Sequence, residues 1–211
     1  MGSVSPSSEN FAVVEARTRS IYENQAEVWD ALRGRSLFEE AWLQRFSRRL
    51  PPGGTVLDLG CGAGEPIARW FLDQGFDVTG ADFSTSLLNL ARSRFPQQEW
   101  IEVDMRVLEL ARTFDGIIAW DSFFHLSAED QYPVIGRITR HLKLEGVAML
   151  TVGPEAGEVL GTVGGQQIYH ASLAIDEYRA VFRSCGMEVI EFVANDPDCA
   201  GHSVLIARKT S

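Results

Sequence analysis

The sequence predicts an α/β domain: a doubly wound, mostly parallel sheet of seven strands whose last strand runs antiparallel, preceded by a helical segment. Three observations carry this. From residue 55 onward, short β-branched and apolar runs alternate with segments of helical period, the pattern of a parallel sheet with helices on both faces. A glycine-rich turn follows the first of those runs, where a doubly wound sheet opens its ligand crevice. The two final apolar runs are joined only by "DPDCAGH", which leaves no room for a crossover helix, so they pair antiparallel.

Residues 9 to about 50 read as helical. "SIYENQAEVWDALRG" places Ile21, Gln25, Val28, Trp29 and Leu32 at helical intervals, with Gly34 as a stop. "FEEAWLQRFSRRL" repeats the pattern with Phe38, Trp42, Leu43 and Phe46, and Pro51 to Gly54 break it. "TVLDLG" is the first strand and "EPIARWFLDQG" the helix after it, with Pro66 suited to the first turn. "DVTGAD" is the second strand, and "STSLLNLARSRF" the next helix, capped by Ser84. "QEWIEVD" and "FDGIIAWDS" are strands three and four. "YPVIGRITRHLK" is a helix and "GVAMLTVG" strand five. Residues 153 to 172 are glycine-rich with few periodic apolar positions and read as irregular. "AIDEYRAVFRSCG" is a last helix, before the strands "MEVIEFVAND" and "SVLIARK".

The chain has 211 residues, 45% of them hydrophobic, which suits one domain with a sizeable core. The expected division is a flexible tail over 1–10 and a single domain over 11–211. Within it lie N-terminal helices (11–50), a ligand-binding core (51–152) and a substrate-side region with the antiparallel strands (153–211). A formal net charge of −10 repels a phosphate backbone, so nucleic acid is not an expected partner. No apolar run approaches the roughly 18 to 20 residues of a membrane span. "MGSVSPSSEN" lacks the pattern of a secretory signal. Cys61, Cys185 and Cys199 are odd in number and without metal-ligand spacing, which fits a reducing cytoplasm and no metal site.

The glycine turn, "TVLDLGCGAG", poses a question of charge. Gly60, Gly62 and Gly64 give G-x-G-x-G, one residue short of the dinucleotide fingerprint before the third glycine. From Leu50 to Ala68 there is no Lys or Arg, while Asp58 and Glu65 are present. At an effective dielectric constant of about 20, a pyrophosphate would meet roughly several kcal/mol of repulsion per contact. A cationic ligand would be attracted.

"VLDLGCGAG" resembles the first motif of class I S-adenosylmethionine-dependent methyltransferases, and the resemblance covers about 56 to 152 well and the remainder loosely. It implies a Rossmann-like seven-stranded sheet with its last strand antiparallel, S-adenosyl-L-methionine as cofactor and S-adenosyl-L-homocysteine as product. It implies Gly60, Cys61 and Gly62 as backbone contacts and Asp58 as favourable charge near the sulfonium and ammonium. Asp82, closing strand two, would take both ribose hydroxyls. Asp104, closing strand three, would accept from the adenine amino group, with Phe83 and Met105 against the ring. The Trp120 carbonyl and the Asp121 side chain would hold the ammonium. Tyr22 and Trp29, seven apart on one helix face, would close the site as a lid.

For chemistry the candidate is His125, whose ordinary pKa near 6.5 suits a general base and equally suits a brace of the loop. Tyr169 and His170 are candidate substrate contacts. Arg19 and Arg33 could meet the cofactor carboxylate or an anionic substrate, and otherwise read as solvated. Cys61 reads as a small turn residue rather than a nucleophile. "DSFF" after strand four lacks the prolines of the motif with which DNA amino-methyltransferases stack a flipped base. The expected reaction is methyl transfer to oxygen, nitrogen or sulfur of a small molecule, with the protein a monomer or homodimer. Two rivals stay open: a non-catalytic S-adenosylmethionine binder, and an NAD-dependent oxidoreductase.

Overall fold

The structure, a computed structural model, describes residues 8–211. Of the expected tail, 1–7 lie outside the described residues, and Ser8 already begins helix α1 (Ser8–Asn24). The single helix expected over 20–34 is broken at Gln25 into the end of α1 and a second helix, α2 (Ala26–Leu32). Helix α3 (Glu40–Ser47) buries Trp42, Leu43 and Phe46, three of the four apolar positions its period marked out.

The sheet then builds outward from its first strand. Strands β1 (Thr55–Leu59), β2 (Asp77–Asp82), β3 (Glu99–Glu102), β4 (Phe114–Ala119) and β5 (Leu142–Val152) are parallel, with β2 and β3 on one side of β1 and β4 and β5 on the other. Helices α4 (Ile67–Asp73), α5 (Thr85–Arg94) and α6 (Ala128–His141) make the crossovers. Ser84 caps α5 as expected, accepting from the Leu87 amide at 3.2 Å. Pro66 sits at the N-cap of α4, one position earlier than expected.

Between β5 and α7 (Ile175–Ser184) the irregular expectation for 153–172 is corrected. β6 (Gly157–Val163) and β7 (Gln166–Ser172) form an antiparallel hairpin. Its two turn residues, Gly164 and Gly165, both have positive φ (+54° and +79°), the backbone a tight two-residue hairpin demands. The last strands, β8 (Met187–Asp196) and β9 (His202–Lys209), pair antiparallel as expected. β9 inserts between β5 and β8, giving seven strands in the order β3-β2-β1-β4-β5-β9-β8. One apolar layer lies under α6 and α7, including Phe123, Ile135 and Phe182. The other lies under α3, α4 and α5, including Trp42, Phe71 and Leu88.

Candidate active site

The C-terminal ends of β1, β2 and β4 open into one cleft, of about 850 Å³ measured out to its mouth. That is where an open parallel sheet binds ligands, because neighbouring loops diverge there. The glycines after β1 have different physical jobs. A Cβ on Gly60 (φ +82°) would lie 2.3 Å from Ser122 Cβ, so the β1 and β4 loops touch only because this residue is glycine. Gly62 (φ +53°) has nothing within 4 Å of its missing Cβ, and its backbone faces open space.

Two acids border this turn. Asp82 accepts from the Gly62 amide at 2.9 Å and the Ser84 amide at 2.8 Å. Burial outweighs these bonds and pushes its carboxyl up to about 6. Asp58 is 3% exposed, and among the described residues no protein donor reaches its carboxylate. Burial, then the charge of Asp82, push it up to about 7, with Arg33 pulling the other way. Cys61 lines the cleft, but burial holds its thiol well above the ordinary value, so it is a neutral turn residue and no nucleophile at neutral pH.

The N-terminal helices form the opposite wall. Tyr22, from α1, meets Trp29 edge-on at 5.4 Å and Phe83 at 6.2 Å between ring centroids. Its hydroxyl is 2.9 Å from His125 Nε2, and His125 Nδ1 is 3.0 Å from the Tyr169 carbonyl. Asp30 of α2 takes a bidentate pair from Arg94 of α5 at 2.7 and 2.5 Å, and Arg94 also reaches the Ala63 carbonyl at 3.3 Å. Glu23 of α1 accepts from the Ser84 and Ser86 hydroxyls at 2.7 and 2.6 Å. The helices are thereby tied to α5 and to the turn after β1 by charge as well as by aromatic packing.

At the end of β4, Asp121 holds a left-handed backbone (φ +51°) uncommon for a residue other than glycine. Its amide donates to Thr151 Oγ1 at 2.8 Å, and its carboxylate accepts from His202 Nε2 at 2.9 Å. His202 Nδ1 donates to the Cys199 carbonyl at 2.9 Å. Burial alone would lower His202, yet the Asp121 bond and charge with the Cys199 carbonyl raise it.

Of the residues expected from sequence, Tyr22, Trp29, Asp58, Gly60, Cys61, Gly62, Asp82, Phe83, Met105, Trp120, Asp121 and His125 all line the cleft. Asp104 does not: Arg106 holds its carboxylate in an ion pair of 2.7 Å, and its Oδ1 caps the turn at the Arg106 amide. Tyr169 and His170 do not line it either. The Tyr169 hydroxyl donates to Glu158 at 2.5 Å, and the His170 ring packs on Phe124 and His125. His125 lines the cleft with its Nε2 next to the Tyr22 hydroxyl. Arg33, expected as solvated or as a carboxylate contact, lines the cleft and pairs at 2.7 Å with the buried Glu39, whereas Arg19 is exposed. Asp30 and Ser122 also line the cleft and carried no signal in the sequence, because Asp30 is brought there by the docking of α2 on α5 and Ser122 by the approach of the β4 loop to β1.

Residues 56–146 match the methyltransferase domain family. YqeM of Bacillus subtilis (strain 168), named as a methyltransferase, is 31% identical over 141 residues, covering 63% of this chain and 55% of its own length. The dTDP-4-amino-2,3,4,6-tetradeoxy-D-glucose N,N-dimethyltransferase of Saccharopolyspora spinosa is 30% identical over 143 residues, covering 64% and 57%. What the chain is similar to, over this stretch, are methyltransferases. Magnesium protoporphyrin IX methyltransferase from Synechocystis PCC 6803, solved with bound S-adenosylhomocysteine, shares the fold at a TM-score of 0.72 and 16% identity, over 93% of this chain and 99% of its own. The match spans little more than half the length of the curated relatives, and the family model covers the stretch from β1 to β5. That stretch contains the glycine turn, Asp82 and the β4 loop; the N-terminal helices Tyr22 and Trp29 come from lie before it.

Proposed function

We propose that this methyltransferase domain transfers a methyl group from S-adenosylmethionine to a small-molecule acceptor by direct in-line displacement, releasing S-adenosylhomocysteine. The carrying observation is Asp58: a buried acid without a protein partner, beside an open glycine backbone and a turn free of Lys and Arg. A phosphate ligand would be repelled there, and a ligand with an ammonium and a sulfonium supplies the missing positive charge. The residues fit that cofactor. Asp82 is fixed by two amides and lies where ribose hydroxyls would donate to it. Phe83 and Met105 offer an apolar slot for the adenine. Asp58, the Trp120 carbonyl and Asp121 surround the place for the ammonium, and Arg33, oriented by Glu39, meets the carboxylate. Asp104 would serve the adenine only after leaving Arg106. The bound cofactor supplies a methyl on a good leaving group, so the protein's work is alignment and exclusion of water, with Tyr22 and Trp29 as the lid.

A small acceptor is supported by relatives whose names specify amino-sugar N,N-dimethyltransferases. It is also supported by a similar fold from Burkholderia thailandensis, solved with bound 1,6-didemethyltoxoflavin. Among the described residues no helix is long and apolar enough to cross a membrane. Calorimetric titration with S-adenosylhomocysteine and with NADH tests the cofactor: we expect binding of the first alone, and binding of NADH alone would overturn the reading. Tritiated methyl transfer from S-adenosylmethionine into metabolite pools then separates an enzyme from a binder. Label in a small-molecule product is the expected result.

A further inference from the structure

We propose that Tyr22 takes the proton of the methyl acceptor and relays its own to His125, so that the acceptor is an N–H or O–H compound and not a carboxylate. This rests on the methyl-transfer reading above. The tautomer of His125 follows from its partners. The Tyr169 carbonyl can only accept, so Nδ1 carries the ring proton and donates across 3.0 Å. In the neutral ring Nε2 is then a bare lone pair, and the only way Tyr22 can bond it at 2.9 Å is as donor. Burial lowers His125 from its ordinary value, which keeps the ring neutral, and burial with Asp121 and Asp82 raises the Tyr22 phenol, which keeps it protonated.

With its proton committed to His125, the Tyr22 oxygen has only lone pairs to offer the cleft that both residues line. A ligand touching it must donate. An amine or hydroxyl does so, whereas a carboxylate at neutral pH has no proton to give. Charge points the same way. Asp58, Asp82 and Asp121 line the cleft, and Arg33, the one Lys or Arg among the described residues lining it, is paired with the buried Glu39 and lies near Asp58. The groups facing His125 are Tyr22 from α1, Asp121 from the end of β4 and His170 from β7, whose ring centroid is 4.9 Å away and whose pKa burial lowers to about 4. The charge of Asp121 raises His125, and His170, held low by burial, adds no opposing charge near neutral pH.

In the step itself, the acceptor nitrogen or oxygen forms a bond to the methyl carbon as the C–S bond breaks, leaving its electron pair on sulfur. The acceptor proton passes to the Tyr22 oxygen while the Tyr22 proton passes to His125 Nε2. The imidazolium keeps its Nδ1–H on the Tyr169 carbonyl. Tyr22 is thus the catalytic residue and His125 a positioning residue that acts through it.

The deciding measurement needs no cofactor. Nitrogen-15 NMR of the histidine side chains in the ligand-free protein should show His125 as the Nδ1–H tautomer, with Nε2 shifting in Tyr22→Phe. An Nε2–H tautomer, or an Nε2 signal that ignores the substitution, overturns the relay. The kinetic arm uses aminohexoses, catechols and succinate as N–H, O–H and carboxylate probes with tritiated S-adenosylmethionine. Label in the first or second, an about 100-fold lower kcat in Tyr22→Phe, and S-adenosylhomocysteine affinity within about threefold of the parent would support it. Methylation of succinate, or a Tyr22→Phe enzyme with parental kcat, would overturn it. His125→Gln should lose the acid limb of the kcat profile, which lies below pH 6.5 in the parent, with KM little changed. Loss of S-adenosylhomocysteine binding by the parent protein would instead strike the methyl-transfer reading itself.

Discussion

Asp58 has a folded-state pKa of about 7 against an ordinary 3.8, so the folded protein holds its proton more tightly than the unfolded chain. Its contribution to stability is therefore fully present below about pH 4 and is lost as pH rises toward 7. Asp58→Asn should flatten that loss: the ligand-free variant should melt a few degrees above the parent at pH 8 and level with it near pH 4. The same substitution should weaken S-adenosylhomocysteine by more than tenfold at pH 8, since it removes the charge meant for the ammonium. Scanning calorimetry across pH checks the first, and titration calorimetry the second; a variant no more stable at pH 8 would show that Asp58 is not a strained acid. Asp82→Ala should cost about 1.5–3 kcal/mol of cofactor affinity through lost charge-assisted bonds, also read by titration. At this scale the sequence located the acids but not their partners. Asp82 and Asp104 look alike at the ends of neighbouring strands, yet one is fixed by the Gly62 and Ser84 amides at the cleft and the other is taken by Arg106. A side chain two residues away decided the difference, and no strand pattern encodes which way an arginine turns.

The helices α1 and α2 meet the rest of the domain through two small apolar clusters, Tyr22 and Ala26 against Ala63, Leu87 and Ile168, and Val14 against Tyr169 and Ala171, and through the Glu23 bonds to Ser84 and Ser86 and the Asp30–Arg94 pair. These clusters are smaller than the two layers on the sheet, and Val28 and Leu32 of α2 remain exposed. Such an element opens locally at less cost than the sheet. Asp30→Ala removes the bidentate partner of Arg94. It should raise amide exchange over residues 26–32 by about tenfold or more while leaving strands β1 and β4 protected, with hydrogen-exchange mass spectrometry as the check. Uniform protection in the variant would mean that apolar and aromatic packing alone holds α2 in place. The sheet strands and α3 were legible because their apolar periods are strong. The β6–β7 hairpin was not, although "GG" between "GEVLGTV" and "QQIYHAS" is a turn signal, because glycine at 157 and 161 dilutes the alternation around it. Helix α1 was read one residue short at its start, and the break at Gln25 left no Gly or Pro to mark it.

Across the whole molecule, α3 behaves differently from α1 and α2. Trp42 is 1% exposed, packs in the layer under α4 and donates to Asp196 at 2.8 Å, joining residues 154 apart at opposite ends of the chain. Trp42→Phe keeps most of the ring contact but leaves Asp196 Oδ2 without its donor, Oδ1 still accepting from the Asp198 amide, and should lower global stability by about 1–3 kcal/mol. Urea unfolding should show a lower midpoint with the slope unchanged; a changed slope or an early partial transition would mean that α3 detaches by itself. The order of elements, the antiparallel close of the sheet and the acid-lined glycine turn were determined by the sequence alone. Each depends on neighbours within about 30 residues: periodicity, a link too short for a crossover, and a turn without cations. The tertiary structure alone decided that Tyr22 caps His125, that Arg33 lines the cleft while paired with the buried Glu39, and that His202 of β9 braces Asp121. Those pairs are 103, 6 and 81 residues apart. The two long separations bring together groups from different strands and helices, and even the short one depends on how the chain turns after α2. Their meeting is set by the packing of whole elements, which no local pattern records.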